Sequence, residues 1–185
     1  MLLLVHRSCG ERADPYLEGG FVTLVFRKGD TVVHPQHSAA VIEDLRERDL
    51  FGERRKYFVL RMTHQDLTLM VPVDSTEEVG LRGVVSKQEV KKVLDVLRED
   101  ETKMAANWSR RFKNNMEKLH SGDIYQVAEV VRNLSIRERS KGLSAGEKRM
   151  LGQARRILVS ELVFATGGTE EKAEDLIDKT LIEAH

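Results

Sequence analysis

The sequence is poor in the residues that cross-link or puncture a chain: one cysteine, Cys9, and three prolines stand among 185 residues. A lone cysteine excludes an intramolecular disulfide and any multi-cysteine zinc site, which agrees with a reducing cytoplasm. No long apolar run is present. Leu2 to Val5 stops at His6-Arg7, too short for a signal-peptide core and far short of the roughly 20 residues of a membrane span. There is no Gly-rich loop ending in Gly-Lys-Ser/Thr, no Gly-x-Ser-x-Gly elbow and no spaced carboxylate pair in an apolar setting, so nothing supports an enzyme. The sole histidine grouping is His34 and His37 with His64. Pro35 splits its first pair and no carboxylate pattern completes a site, so neither a metal nor another cofactor is expected.

Net charge is also absent, because thirty basic and thirty acidic residues cancel. What charge there is lies segregated along the chain. Residues 103–156 hold thirteen Lys/Arg against five Asp/Glu, whereas residues 157–185 hold two against seven. Such a distribution, unlike the total, bears on partners.

Residues 1–25 show no sustained period and read as an irregular or disordered leader. From Phe26 onward short apolar runs alternate with turn residues: Thr31-Val32-Val33, Ala39 to Leu45, Tyr57 to Met62 and Leu67 to Val71. β-branched and aromatic residues in pieces of this length, broken at Pro35, Phe51-Gly52 and His64-Gln65-Asp66, predict a small curled antiparallel barrel over residues 26–76. A connector containing Gly80 and Gly83 follows at 77–85, and an all-helical domain at 86–185. Capping boxes at Ser86/Glu89 and Ser144/Glu147 open helices at Lys87 and after Ser144, Ser121-Gly122-Asp123 opens another, and Thr169 caps a last acidic one. Gly142 and Gly167-Gly168 supply stops.

Between the first two of these helix starts lies Asn107-Trp108-Ser109-Arg110-Arg111-Phe112-Lys113, which holds the sole tryptophan. Two readings fit its spacing. Trp108 either begins a buried stripe continued by Phe112, Met116 and Leu119, or stands on the surface as an apolar wedge whose neighbouring cations hold nucleic-acid phosphates. Arg110, Arg111 and Lys113, with Lys148 and Arg149 at the second helix start, place five cations beside backbone N–H groups that themselves favour phosphate. The competing interpretation of these cations is a solvated face. In the β-rich half, Arg46, Arg48, Arg54, Arg55 and Lys56 border Phe51-Gly52, either as a second nucleic-acid patch or as a docking face for an acidic protein.

Gly29 to His37, Asp66-Leu67-Thr68 leading to Val71-Pro72, Asn107 to Lys113, and Gly142-Leu143-Ser144-Ala145-Gly146-Glu147-Lys148-Arg149-Met150-Leu151 together resemble the CarD/CdnL family of bacterial RNA polymerase-binding transcription regulators, over about residues 26–184. The resemblance implies an α+β protein. A Tudor-like, SH3-like β-barrel, of a type also found in transcription-repair coupling factor, binds the RNA polymerase β subunit, and a helical domain contacts upstream promoter DNA. In that family the tryptophan matching Trp108 wedges into the minor groove at the upstream edge of the melting promoter and stabilises the open complex. By motif, Arg110, Arg111, Lys113, Lys148 and Arg149 become backbone contacts of little base specificity, and Arg48 and Met70 polymerase contacts. The expected protein is a monomer, cytoplasmic and associated with the nucleoid through polymerase. The alternative is an adaptor binding proteins through both modules without direct DNA contact.

Three departures accompany the resemblance. Family members commonly carry Tyr-Pro-x-His-Gly where this chain has His34-Pro35-Gln36-His37-Ser38, which sets Ser38 in a turn suited to glycine. Met70 replaces an arginine of the polymerase-facing patch. Relatives begin near Phe26, so residues 1–25 are a lineage-specific arm or the product of an upstream start codon.

Overall fold

The computed structural model describes residues 26–35, 37–50, 52–62 and 66–185. The expectations for residues 1–25, for the Phe51 turn tip and for His64 lie outside them. Among the described residues five strands form one antiparallel sheet: β1 (Thr31–His34), β2 (Ser38–Leu50), β3 (Glu53–Met62), β4 (Thr68–Pro72) and β5 (Arg82–Gly83), in the order β4-β3-β2-β1-β5. Its interior cluster draws Val32 from β1, Ala40 and Ile42 from β2, Phe58, Leu60 and Met62 from β3, Val71 from β4, and Leu81. A sheet whose opposite edges feed one cluster is curled, as the short alternating runs require. A bulge between Ile42 and Asp44 shifts the β2–β3 register, and bulges locally increase bend and twist.

Two elements exceed their expected bounds. Strand β2 does not stop at Leu45 but continues opposite β3 to the Leu50–Glu53 pair, building a two-stranded ribbon beyond the rest of the sheet. The second is in the expected connector. After Val73–Ser75 and the short helix α1 (Thr76–Val79), Leu81 inserts in the barrel cluster and β5 pairs with Val32 and Val33. Residues 81–83 thus belong with the sheet, because β1 would otherwise leave an edge of unpaired backbone groups beside the helices.

The helical half comprises α2 (Lys87–Arg98), α3 (Trp108–His120), α4 (Ile124–Lys141), α5 (Ala145–Thr166) and α6 (Glu170–Ala184). Both capping boxes are formed, and Asn107, Asp123 and Thr169 cap α3, α4 and α6 through their side-chain oxygens. Helix α4 packs against α2, α3 and α5, and α6 against α2 and α5. The α2–α3 connector, which sequence offers only as an interruption, is pinned by Arg132, whose guanidinium is 1% exposed. It donates to the Val96 carbonyl and Glu99 carboxylate at 2.8 Å each and to Thr102 Oγ1, while Asn133 Oδ1 accepts from Thr102 N at 3.1 Å. A buried guanidinium is tolerable only with its donors matched in this way, and the match anchors the chain as it leaves α2.

Candidate nucleic-acid interface

Two helix starts, α3 and α5, meet at Trp108. Asn107 Oδ1 accepts from the Arg110 backbone N–H at 3.1 Å, and the helix so initiated projects Trp108 across the first turn of α5. There the indole Nε1 donates to Ser144 Oγ at 3.1 Å. The hydroxyl donates in turn to Glu147 Oε2 at 2.8 Å, and Glu147 Oε1 accepts from Arg111 Nε at 2.8 Å. Arg111 lies three residues after Trp108 on the same helix, so the bonds close a circuit from α3 to the α5 capping box and back. The Phe112 ring stacks on the indole, centroids 5.2 Å apart and planes at 28°. Gly146 lies close beneath both rings: a Cβ there would stand 3.3 Å from Phe112 Cε2 and 3.7 Å from Trp108 Cζ2. Trp108 nevertheless remains 47% exposed. Of the two readings of its spacing, the surface one matches this position, with Phe112 partly buried and Leu119 carrying the stripe into the core.

Arg111 requires a correction. Sequence position groups it with Arg110 and Lys113 as a phosphate contact, but its side chain is 5% exposed, ion-paired to the 2% exposed Glu147, and donates further to the carbonyls of Ala105 and Ala106 at 3.0 and 3.1 Å. Successive helix residues are about 100° apart, and that step turns Arg111 toward the bundle while Arg110 stays outside. Burial pushes the Glu147 carboxyl up, but the Arg111 guanidinium and the Ser144 N–H and hydroxyl overcome this and hold it below the ordinary glutamate range. This pair shapes the site and touches no solvent-borne ligand.

Arg110, Lys113, Lys148 and Arg149 are exposed. Among the described residues the side chains of Arg110, Lys148 and Arg149 have no ion-pair partner, and Lys113 has only the solvent-exposed Glu117 at 3.8 Å. The first turn of α3 contains no acid, and that of α5 only the buried Glu147. Cations at a helix N-terminus oppose the macrodipole, and their company with free N–H groups suits an external anion.

The second predicted patch lies on the sheet. Arg48 is exposed and directly opposite Arg55 in the ribbon, and Met70 is opposite Val59. Directly opposed residues share a face and so do alternate residues of one strand. Arg46, Arg48, Arg55, Tyr57, Val59 and Met70 therefore share one face of the sheet, on which the four-residue step from Arg55 to Val59 along β3 separates Arg48 from Met70. Arg46 pairs with Asp44 and Arg55 with Glu53, whereas Arg48 has no ionic partner among the described residues. Met70 is 41% exposed.

His34 and His37 have ring centroids 4.9 Å apart. Burial, then the neighbouring His37, lowers the His34 pKa. Among the described residues no group of three or more His, Cys, Asp or Glu side chains is placed to hold a metal ion. No helix among them is long and apolar enough to cross a membrane.

Comparison with known proteins gives two matching family models: the CarD-like/TRCF RID domain over residues 26–85 and the CarD C-terminal domain over residues 92–178. The boundary of the first model includes β5. The chain is also similar to YdeB of Bacillus subtilis (strain 168), which carries the name of a proposed transcription factor, with 34% identity over 148 residues, 80% of this chain and 97% of that protein. What sequence reasoning missed at the site is the circuit through Ser144, Gly146 and Glu147. Its capping box is readable, but its contact with Trp108 joins residues 36 apart.

Proposed function

Because this chain belongs to the CarD family of transcription regulators, whose amino-terminal domain type acts through RNA polymerase, we propose that it stabilises open promoter complexes by setting Trp108 as a wedge at the upstream edge of the melted DNA. The observation that carries this reading is the half-exposed indole, oriented by Ser144 and Phe112 beside exposed cations at two helix starts. Melting unstacks a base step at a cost of a few kcal/mol, and a flat apolar ring at that step recovers part of it. Arg110, Lys113, Lys148 and Arg149 hold adjacent phosphates, without selecting a base sequence. The sheet face of Arg48 and Met70 docks on the polymerase β subunit. Docking raises the local DNA concentration, so that weak contacts suffice. The protein acts as a monomer, in the cytoplasm and on the nucleoid through polymerase.

Trp108 is the sole tryptophan, so its fluorescence reports directly on the wedge. In low salt, a forked duplex with an unpaired edge is expected to quench it more than the fully paired duplex does. Equal emission with both duplexes at saturation contradicts the wedge.

A further inference from the structure

Helix α5 has another charged contact toward its far end. Glu161 is 1% exposed, and its carboxylate receives Arg82 Nη1 at 2.5 Å, Arg82 Nη2 at 2.8 Å and Val85 N at 3.1 Å. Arg82 belongs to β5 and so to the sheet, and its Nε donates to the carbonyl of Gly122, in the α3–α4 turn, at 2.7 Å. One guanidinium thus spans the sheet, α5 and that turn. Two neighbouring contacts repeat the pattern. Ala39 N donates to Ser160 Oγ at 3.4 Å. Pro35, at the β1–β2 turn, packs so near Gly122 that a Cβ there would lie 3.3 Å from its Cγ, and Gly122 itself has φ +74°.

From Ser144, which holds the indole, to Glu161 is about 25 Å along the helix at 1.5 Å per residue. We propose that Arg82 and Glu161 are positioning residues, locking the sheet to α5 so that the helix acts as a strut between the polymerase-docking face and Trp108. This inference rests on the wedge reading above. Its reason is physical: tethering raises effective concentration only for orientations the joint allows, so a joint free to pivot spreads the indole over unproductive positions. A buried ion pair adds little net stability against an apolar replacement. Its value here is the fixed geometry of a two-pronged fork, which Lys at position 82 cannot reproduce.

The test uses the full chain with Cys9→Ser and spin labels introduced by Glu47→Cys on the ribbon and Lys172→Cys on α6. Dipolar spectroscopy gives the distance distribution between the two halves. Glu161→Gln and Arg82→Lys, each checked by thermal melting for retained folding, are expected to broaden that distribution and shorten open-complex lifetimes several-fold, while affinity for polymerase and for free duplex stays unchanged. An unchanged distribution overturns the lock, as does a broadened one with wild-type lifetimes, or a parallel loss of free-duplex affinity. Trp108→Ala in the same lifetime assay separates the two ideas. If it has no effect the wedge reading fails, and the lock then stands or falls on the distance measurement.

Discussion

At the scale of single residues, adjacent positions of similar chemistry do opposite work. Arg110 and Arg111 are neighbours in sequence, one exposed and the other buried against Glu147. Arg111→Ala leaves the buried Glu147 carboxylate with only the more distant Arg137, at 3.9 Å, as a cation and is expected to destabilise the protein by about 3 kcal/mol in urea unfolding. Arg110→Ala is expected to change stability by no more than about 0.5 kcal/mol, but to weaken DNA binding at every sequence and reduce the salt slope by about one. If both substitutions behave alike, the division between scaffold and contact is wrong. Ser38 offers an independent check. It is the one non-glycine residue with positive φ among the described residues, at +74°, closing a turn in which His37 N donates to the His34 carbonyl. A side chain in that region costs about 1–2 kcal/mol, so Ser38→Gly is expected to raise the melting temperature, and a lowered one contradicts the strain. This strain was legible from the motif; the burial of Arg111 was not, because charge type alone does not say which way a side chain turns.

At the scale of elements, helix starts were legible because Ser86, Asn107, Asp123, Ser144 and Thr169 satisfy exposed N–H groups by local chemistry that needs no tertiary context. The outer half of β2 was hidden: Arg46 to Asp49 are charged, and only pairing with β3 makes them strand. Strand β5, two residues long, carries no period at all. Trp108 was ambiguous for another reason, since a helix stripe looks the same whether its first member is covered or bare. The α5 capping box predicts a pH response. Glu147 has a depressed folded-state pKa, so its stabilising contribution is present above the unfolded value of about 4.3 and is lost as pH falls through the lower folded value. Glu89 and Glu129 are depressed as well and contribute a common background. Below about pH 4.3 the melting temperature of the wild type is expected to fall more steeply than that of Glu147→Gln; parallel slopes contradict a charged Glu147 in the circuit.

At the scale of the whole molecule, two separate faces stand out in a chain with no net charge, one on the sheet with Arg48 and Met70 and one on the helices with Arg110, Lys113, Lys148 and Arg149. The two faces are expected to be separable. Arg48→Glu is predicted to weaken polymerase binding in a pull-down or interferometry measurement and to leave affinity for free DNA intact; the reverse outcome exchanges the roles of the domains. Neither face accomplishes much alone in this account, because the DNA contacts are weak without the tether and the tether without Trp108 stabilises nothing at the bubble edge. The most direct measurement is therefore the lifetime of open complexes formed by polymerase on a promoter with an unstable bubble, after challenge with a competitor, in the presence of wild-type protein or Trp108→Ala. The account predicts retained polymerase binding and a several-fold shorter lifetime with the folded Trp108→Ala protein, and a lifetime equal to that with wild type would contradict it.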